Sequence, residues 1–178
     1  MSGGIVTAAA VLLIGVAVMF LLSVTARVPV NLGVRDGRLA ACPTSPNCVC
    51  SQADDSEHWI APLTVNGDVE RAMARLRTVV LETPRTVVTE ESGSYLRVEF
   101  RSAIFRFVDD AEFFLEPESR RIHLRSCSRA GHSDLGVNRR RAEWVRRAFD
   151  QIDRPASRAS GGSPGDSTGD VPAAAVAR

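Results

Sequence analysis

The chain has 178 residues, of which 44% are hydrophobic and 24% are charged, and this ordinary composition predicts one globular domain with flanking segments. A formal net charge of +1 excludes proteins that bind nucleic acid through a strongly basic surface, and four cysteines are too few for a disulfide-rich mini-protein. All 22 basic residues are arginine, which suits carboxylate and phosphate contacts, although coding bias in a GC-rich genome explains this choice equally well.

The first element is an apolar run, Ile5–Ala26, without a charged side chain. It is long enough to cross about 30 Å of hydrocarbon as one helix, and it lacks the polar stripe of a surface helix. The sequence therefore predicts that residues 1–27 form a transmembrane helix or an uncleaved signal anchor that binds the membrane. A cleaved signal peptide is the alternative, but the leader has no basic residue and the run is longer than a usual signal core.

The side of the membrane is indicated by the arginines that follow this run. Arg27, Arg35 and Arg38 lie after it, and only the α-amine lies before it. The positive-inside rule would place the rest of the chain in the cytoplasm. Residues 28–41 are predicted to be a juxtamembrane linker.

A proline-rich turn with three cysteines follows, Cys42-Pro-Thr-Ser-Pro-Asn-Cys-Val-Cys50. Its prolines hold the thiols near one another, so Cys42 and Cys48 could close a small disulfide loop. A zinc site needs about four ligands, which these three cysteines and His58 could supply, but their spacing matches no standard zinc motif. We therefore predict neither a metal site nor a cofactor.

Two amphipathic helices are predicted on either side of a group of strands. A helical period over residues 69–80 indicates a helix that Asp68 caps and Pro84 ends. After the turn 128–136, the same period over residues 137–152 indicates the last helix.

Between the two helices the hydrophobic period changes to two, which is typical of strands. Short turns join the strands, so an antiparallel meander is expected. The fold class is α+β: a four-stranded antiparallel sheet with an N-terminal and a C-terminal helix packed on one face, preceded by one transmembrane helix. This domain spans residues 42–153, and residues 154–178 are predicted to be a disordered tail. The predicted strands are Thr86–Glu90, Tyr95–Ser102, Phe105–Leu115 and Arg121–Cys127.

The opposite face of this sheet carries charges of both signs, including Arg97, Glu99 and Arg125. We interpret it as a solvated face with cross-strand ion pairs. Asp109 interrupts the apolar alternation, which predicts a β-bulge near Asp109–Asp110.

The densest polar stretch is Ile122–Arg141, which passes from the last strand through a turn into the last helix. Arg139, Arg140 and Arg141 stand in the first helical turn, where cations oppose the helix dipole. Their positive charges need compensation by carboxylates such as Glu99 and Asp110, or by a bound anion. Ser133 or Asp134 is the predicted helix cap. The candidate ligand-binding residues are Arg125, Ser126, Ser128, Arg129, Ser133, Asp134, Asn138, Arg139 and Arg140.

Several blocks of the sequence together resemble the DUF1499 family of proteins of unknown function. These blocks are C-P-T-S-P-N-C-V, Y-L-R-V-E-F-R-S, F-R-F-V-D-D-A-E-F and R-S-C-S-R-A-G-H-S-D-L-G-V-N-R-R-R, and the resemblance runs over about residues 39–152. Cys42 and Cys48 match a cysteine pair of that family, whereas Cys50, Cys127 and His132 replace its Ser, Ala and Tyr.

The resemblance implies a membrane or lumenal setting but no activity. Members commonly carry a signal, lipoprotein or membrane segment, which favours an extracytoplasmic domain. This disagrees with the cytoplasmic orientation that the positive-inside rule gives. The two additional cysteines suggest that Cys50 and Cys127 form a disulfide between the N-terminal loop and the sheet, if the fold brings them together.

Three functions are compatible with these observations. The first is a non-enzymatic envelope module that binds an anionic small molecule or partner at the arginine-rich turn. The second is a structural or assembly module, in which the turn only satisfies buried backbone groups. The third is a hydrolase-like enzyme, but nucleophile-elbow, P-loop and dinucleotide motifs are missing and no catalytic residue is assigned. Its acid–base candidates would be Asp109, Asp110, Asp134, His123 and His132.

Overall fold

The computed structural model of the protein describes residues 2–153, so the predicted tail 154–178 lies outside the described residues. Its first element, α1, is a helix at Ser2–Thr25. Within it, Gly4–Ser23 is long and apolar enough to cross a membrane, and its large apolar side chains are exposed. A signal sequence has the same properties.

The predicted antiparallel meander is present, and each of its strands is close to its predicted position. Hydrophobic and polar residues alternate in these strands because one set of side chains faces the helices while the other faces away. The four strands are β5 (Thr86–Ser92), β6 (Tyr95–Arg101), β7 (Val108–Glu116) and β8 (Arg121–Ser128). Neighbouring strands pair along nearly their whole lengths, from β5 to β8.

The sheet is larger than predicted, because two short strands add to β8. β3 (Cys48–Cys50) and β4 (Leu63–Thr64) both pair antiparallel with β8, which makes a six-stranded sheet in place of the expected four strands. A separate two-stranded hairpin, β1 (Val34–Arg35) and β2 (Arg38–Leu39), lies in the stretch predicted as a linker.

Two helices cover one face of this sheet and enclose the hydrophobic core. They are α2 (Ala72–Leu81) and α3 (Val137–Ile152), and their buried side chains join those of β6, β7 and β8 in one cluster. Phe149 of α3 and Phe100 of β6 are almost fully buried there. The core therefore confirms the predicted placement of both helices.

The predicted bulge at Asp109–Asp110 is wrong. Both residues stay in register with β6, where Asp109 pairs with Phe100 and Asp110 with Glu99. Asp109 keeps its position on the helix-covered face because Arg141 of α3 and the Ser128 hydroxyl both hydrogen-bond its carboxylate. The register shift between β5 and β6 lies between Val88 and Glu90.

Candidate functional site

The centre of the charged face of the sheet is buried, in contrast to the predicted solvated face. Asp110 and Glu112 are 0% exposed and Arg125 is 3% exposed. The segment before β1 contributes to this cover, since the backbone N–H of Gly33 donates to the Glu112 carboxylate over 2.6 Å. Buried charges must be paired, and these are paired with one another.

Arg129 is held by two carboxylates on this face. Its Nε lies 2.7 Å from Asp110 Oδ2, and its Nη2 donates to Asp110 Oδ1 over 2.7 Å and also to Glu99. Burial alone would raise the pKa of Glu99, but the hydrogen bonds and charge of Arg129, followed by those of Arg101, lower it overall. The Asp110 carboxylate raises the pKa of Arg129. Arg129 is thus an internal ion-pair partner in this structure.

Arg125 belongs to a second buried group. Its Nη1 lies 3.1 Å from Glu112 Oε2, and the Tyr95 hydroxyl donates to Glu112 Oε1 over 2.8 Å. Burial, reinforced by the negative charge of Glu112, raises the pKa of Tyr95. Gly33 completes the group, so Glu112 links the sheet to the segment that follows α1.

Asn138, at the start of α3, connects three segments on the helix-covered face. Its Oδ1 accepts from the Ser126 hydroxyl over 2.5 Å, and its Nδ2 donates to the Asn47 carbonyl and the Ser128 hydroxyl over 3.1 and 3.0 Å. The side chain is 1% exposed. These contacts are structural, and they orient the turn between β8 and α3.

The N-cap residue of α3 is Gly136, so the prediction of Ser133 or Asp134 at that position is wrong. Asp134, two residues earlier, nevertheless bonds the start of the helix. Its carboxylate accepts from the backbone N–H groups of Gly136 and Asn138 over 2.9 and 2.6 Å. Ser133 accepts a 3.2 Å hydrogen bond from the Leu135 N–H instead. The negative charge of Asp134 also compensates the positive end of the helix dipole.

The three arginines of the first α3 turn have separate partners. Arg139 donates to the carbonyls of Trp59 and Glu57 over 2.9 and 2.5 Å, and Arg140 donates to the Leu135 carbonyl over 2.9 Å. Arg141 pairs with Asp109 over 2.9 Å. The expected compensation by Glu99 and Asp110 is wrong, because both of those carboxylates bind Arg129.

A cleft of about 320 Å³ lies where three connections meet: residues 83–85, residues 102–107 and the turn before α3. Phe100, Phe107 and Val137 give it an apolar wall. An adjoining cavity of about 470 Å³ shares Pro84, Val137 and Arg141 with it and also contacts Trp144. The polar groups that line the two cavities are Glu82, Thr83, Arg85, Arg101, Ser102, Asp109, Ser128, Ser133, Asp134, Arg140 and Arg141.

Four of the predicted ligand residues therefore line these cavities, namely Ser128, Ser133, Asp134 and Arg140. The other predicted residues line neither cavity; they are Arg125, Ser126, Arg129, Asn138 and Arg139. Sequence reasoning missed Phe100, Phe107 and Arg85 as lining residues, because they come from distant parts of the chain.

Arg141 lines both cavities. Its guanidinium carbon lies 4.4 Å from the centre of the Phe100 ring, a cation–π contact. Its Nη1 donates to Asp109 and, over 3.2 Å, to Asn138. This side chain thus joins the apolar wall of the cleft to the hydrogen-bonded start of α3.

A comparison with known protein families identifies the family of this chain. Residues 38–149 match the family described as protein of unknown function, DUF1499. The chain belongs to the DUF1499 family. The match confirms the resemblance, and it includes the cysteine-rich turn, the buried ion pairs and the turn before α3. Comparison with curated proteins and with solved structures finds no match.

The cysteines of this DUF1499 chain form one bond. Cys42 and Cys48 are joined, with sulfurs 2.11 Å apart. Cys50 and Cys127 are free and buried, so the hypothesised bond between them is not formed. The register explains this, because Cys127 lies opposite Cys48 and Cys50 lies opposite Arg125. Burial raises the pKa of both free thiols, which makes them weak nucleophiles at neutral pH.

The acid–base candidates of the DUF1499 domain are distributed over the structure. Asp109 and Asp110 point to opposite faces of β7, and each is in an ion pair. His123 Nδ1 lies 3.2 Å from the Ser51 hydroxyl, and His132 is exposed. Asp109 and Asp134 line the same cleft, whereas Asp110, His123 and His132 line neither cavity.

The remaining histidine, His58, links two loops. Its Nδ1 lies 2.8 Å from the Asp55 carboxylate and its Nε2 lies 3.2 Å from the Ser45 carbonyl. Two acceptors favour the imidazolium form, which donates from both nitrogens. Burial would lower the pKa of His58, but these acceptors outweigh it and raise the pKa.

Proposed function

We propose that this protein is a membrane-anchored, non-enzymatic module that binds an anionic amphiphile in the cleft beside the start of α3, with its domain on the extracytoplasmic side. The observation that carries this proposal is a pair of arginines without a carboxylate partner among the described residues. Arg85 donates to the Arg101 carbonyl and Arg140 to the Leu135 carbonyl, and both side chains are exposed. Arginine in such a position suits a phosphate or a carboxylate.

The lining of the cleft supports an apolar tail on the same ligand. Phe107 and Val137 offer hydrophobic surface in the same cleft as Arg85. Of the acids in the cleft, Asp109 is paired with Arg141 and Asp134 is bound to backbone N–H groups. Arg101 of the cleft is paired with Glu99. The cations without a carboxylate partner are therefore Arg85 in the cleft and Arg140 in the adjoining cavity, and they favour an anionic head group.

A purely structural module is the second candidate, and the contacts of the turn favour it. Asn138, Arg139 and Asp134 all contribute to helix capping or loop attachment. Loops with many hydrogen-bonding residues often serve only to satisfy buried backbone groups. Ligand binding distinguishes the two functions.

The test uses hexyl phosphate as the probe and the full chain in a nonionic amphipol. Trp59→Phe leaves Trp144, which lines the adjoining cavity, as the reporter of binding. We expect hexyl phosphate to change Trp144 fluorescence and hexanol to have much less effect. Arg85→Gln or Arg140→Gln should weaken binding about tenfold, because each removes a charge-assisted hydrogen bond. Glu82→Gln should strengthen it, since Glu82 adds negative charge to the adjoining cavity.

The matched control is Arg147→Gln, an exposed arginine on α3 that lines neither cavity. It should leave binding unchanged. No response to hexyl phosphate, or the same affinity in all variants, would overturn the proposal and favour the structural module.

A further inference from the structure

The cleft lies against the apolar helix. Met19 of α1 lines it, and Ser23 of the same helix is only 6% exposed. Met19 lies four residues before the end of the segment Gly4–Ser23, which places it about 6 Å inside that segment at the helical rise per residue. If this segment lies in a bilayer, the cleft opens at the boundary between head groups and acyl chains.

The loops at the rim of the cleft have the composition of a membrane-facing surface. Ile104, in the connection between β6 and β7, is 80% exposed, and Leu135, just before α3, is 84% exposed. Each lies close to an exposed arginine, Arg106 in the first loop and Arg140 in α3. Single exposed apolar residues are common, but apolar tips beside arginines and an apolar helix are typical of interfacial contact.

We infer that the occupant of the cleft is an anionic phospholipid, which enters from the bilayer in which α1 lies. Arg85 of the cleft and Arg140 of the adjoining cavity bind its phosphate, while the first part of one acyl chain lies against Phe107, Val137 and Met19. A cleft of 320 Å³ is at the small end for ligand sites, so it holds the head group and part of a chain while the remainder stays in the membrane. This inference rests on the proposed function and names its ligand class.

The experiment places the full Trp59→Phe chain in nanodiscs that contain equal fractions of phosphatidylglycerol and phosphatidylcholine. In one preparation the phosphatidylglycerol carries bromine on its acyl chains, and in the other the phosphatidylcholine does. Quenching of Trp144 then reports which lipid chain reaches the cleft. We expect stronger quenching by brominated phosphatidylglycerol, with a preference of about fivefold for each arginine that contacts the phosphate.

The variants separate charge from apolar contact. Arg85→Gln with Arg140→Gln should reduce quenching by phosphatidylglycerol to the phosphatidylcholine level, and Arg147→Gln should not. Ile104→Ser with Leu135→Ser should reduce quenching by both lipids. A Trp144→Phe chain provides the reference, because Trp59 lines neither cavity and should show no lipid preference.

The outcomes distinguish this inference from the proposed function. Hexyl phosphate binding without a lipid preference in nanodiscs would overturn the phospholipid assignment and leave the cleft as a site for a soluble amphiphile. Equal quenching by both lipids that the arginine variants do not change would also overturn it. Failure of both experiments would overturn the proposed function as well.

Discussion

At the residue scale, Asn138 is the side chain on which the site depends most. It joins Ser126, Ser128 and the carbonyl of Asn47, and it is buried. Asn138→Ala leaves the buried Ser126 hydroxyl without its partner, and it removes one of the two hydrogen bonds of the Ser128 hydroxyl and of the Asn47 carbonyl. We expect the free energy of unfolding to fall by about 2–4 kcal/mol, as measured by urea denaturation of the full chain in nonionic detergent.

The control for this prediction is Asn66→Ala, because Asn66 is exposed. That change should alter the free energy of unfolding by less than about 0.5 kcal/mol. If Asn138→Ala were as mild as Asn66→Ala, the contacts at the start of α3 would not hold the turn in place.

A second residue-scale prediction concerns His58, whose folded-state pKa lies above the ordinary value of 6.5. A raised pKa means that the imidazolium form stabilises the fold. This contribution is fully present below pH 6.5 and is lost as the pH rises through the folded-state pKa. His58→Gln should therefore lower the free energy of unfolding at about pH 6 more than at about pH 8.5.

Urea denaturation at the two pH values measures this difference. His132→Gln, at an exposed histidine, is the control and should show the same small effect at both. A His58→Gln effect that grows with pH would contradict the imidazolium bridge between Asp55 and Ser45.

Single residues also show where sequence reasoning was limited. The predicted cross-strand ion pairs exist, as Arg125 with Glu112 shows, because the strand periods could be read directly. Their burial depends on residues near Gly33, which lie 79 positions from Glu112 in the chain. No local pattern reveals such a cover, so the sequence alone predicts arginines that are free to bind a ligand.

At the element scale, the start of α3 gives a direct test of helix capping. Asp134 accepts two backbone hydrogen bonds there, whereas Ser133 accepts one, from outside the helix. Asp134→Ala should destabilise the fold by about 1 kcal/mol, and Ser133→Ala should have little effect. Urea denaturation of both variants provides the comparison, and equal effects would contradict the role of Asp134 in stabilising the start of α3.

The elements that could be predicted are those with a sustained period. β5 to β8 and both core helices repeat their apolar pattern over seven or more residues. β3 and β4 have three and two residues, too few for a period, and prolines lie near both. They form strands only because β8 offers an edge with which they can pair.

At the scale of the whole molecule, two features indicate opposite sides of the membrane. Arg27, Arg35 and Arg38 follow the apolar helix, which favours the cytoplasm. The bond between Cys42 and Cys48 favours an oxidising compartment outside it. A long folded domain can cross regardless of nearby charge, so we expect the disulfide to indicate the correct side.

Thiol labelling of intact cells tests this expectation in a chain that keeps its own four cysteines. Two of the four cysteines are bonded and two are buried, so the folded protein presents no accessible thiol of its own. Ser56→Cys places one on an exposed loop of the domain, and Ser2→Cys places one at the start of α1. A membrane-impermeant reagent should label Ser56→Cys, and it should label Ser2→Cys only after the cells are permeabilised.

The mass of the purified protein completes this test, because a removed signal sequence would eliminate the thiol of Ser2→Cys and shorten the chain. One outcome is a protein of full mass that is labelled at Ser56→Cys but not at Ser2→Cys in intact cells. It would place the arginine-rimmed cleft at the outer surface, against the lipid of the outer leaflet. Labelling at Ser2→Cys alone would place the cleft in the cytoplasm. The disulfide would then lose the compartment that maintains it, and the anionic lipids of the cytoplasmic leaflet would become the available ligands.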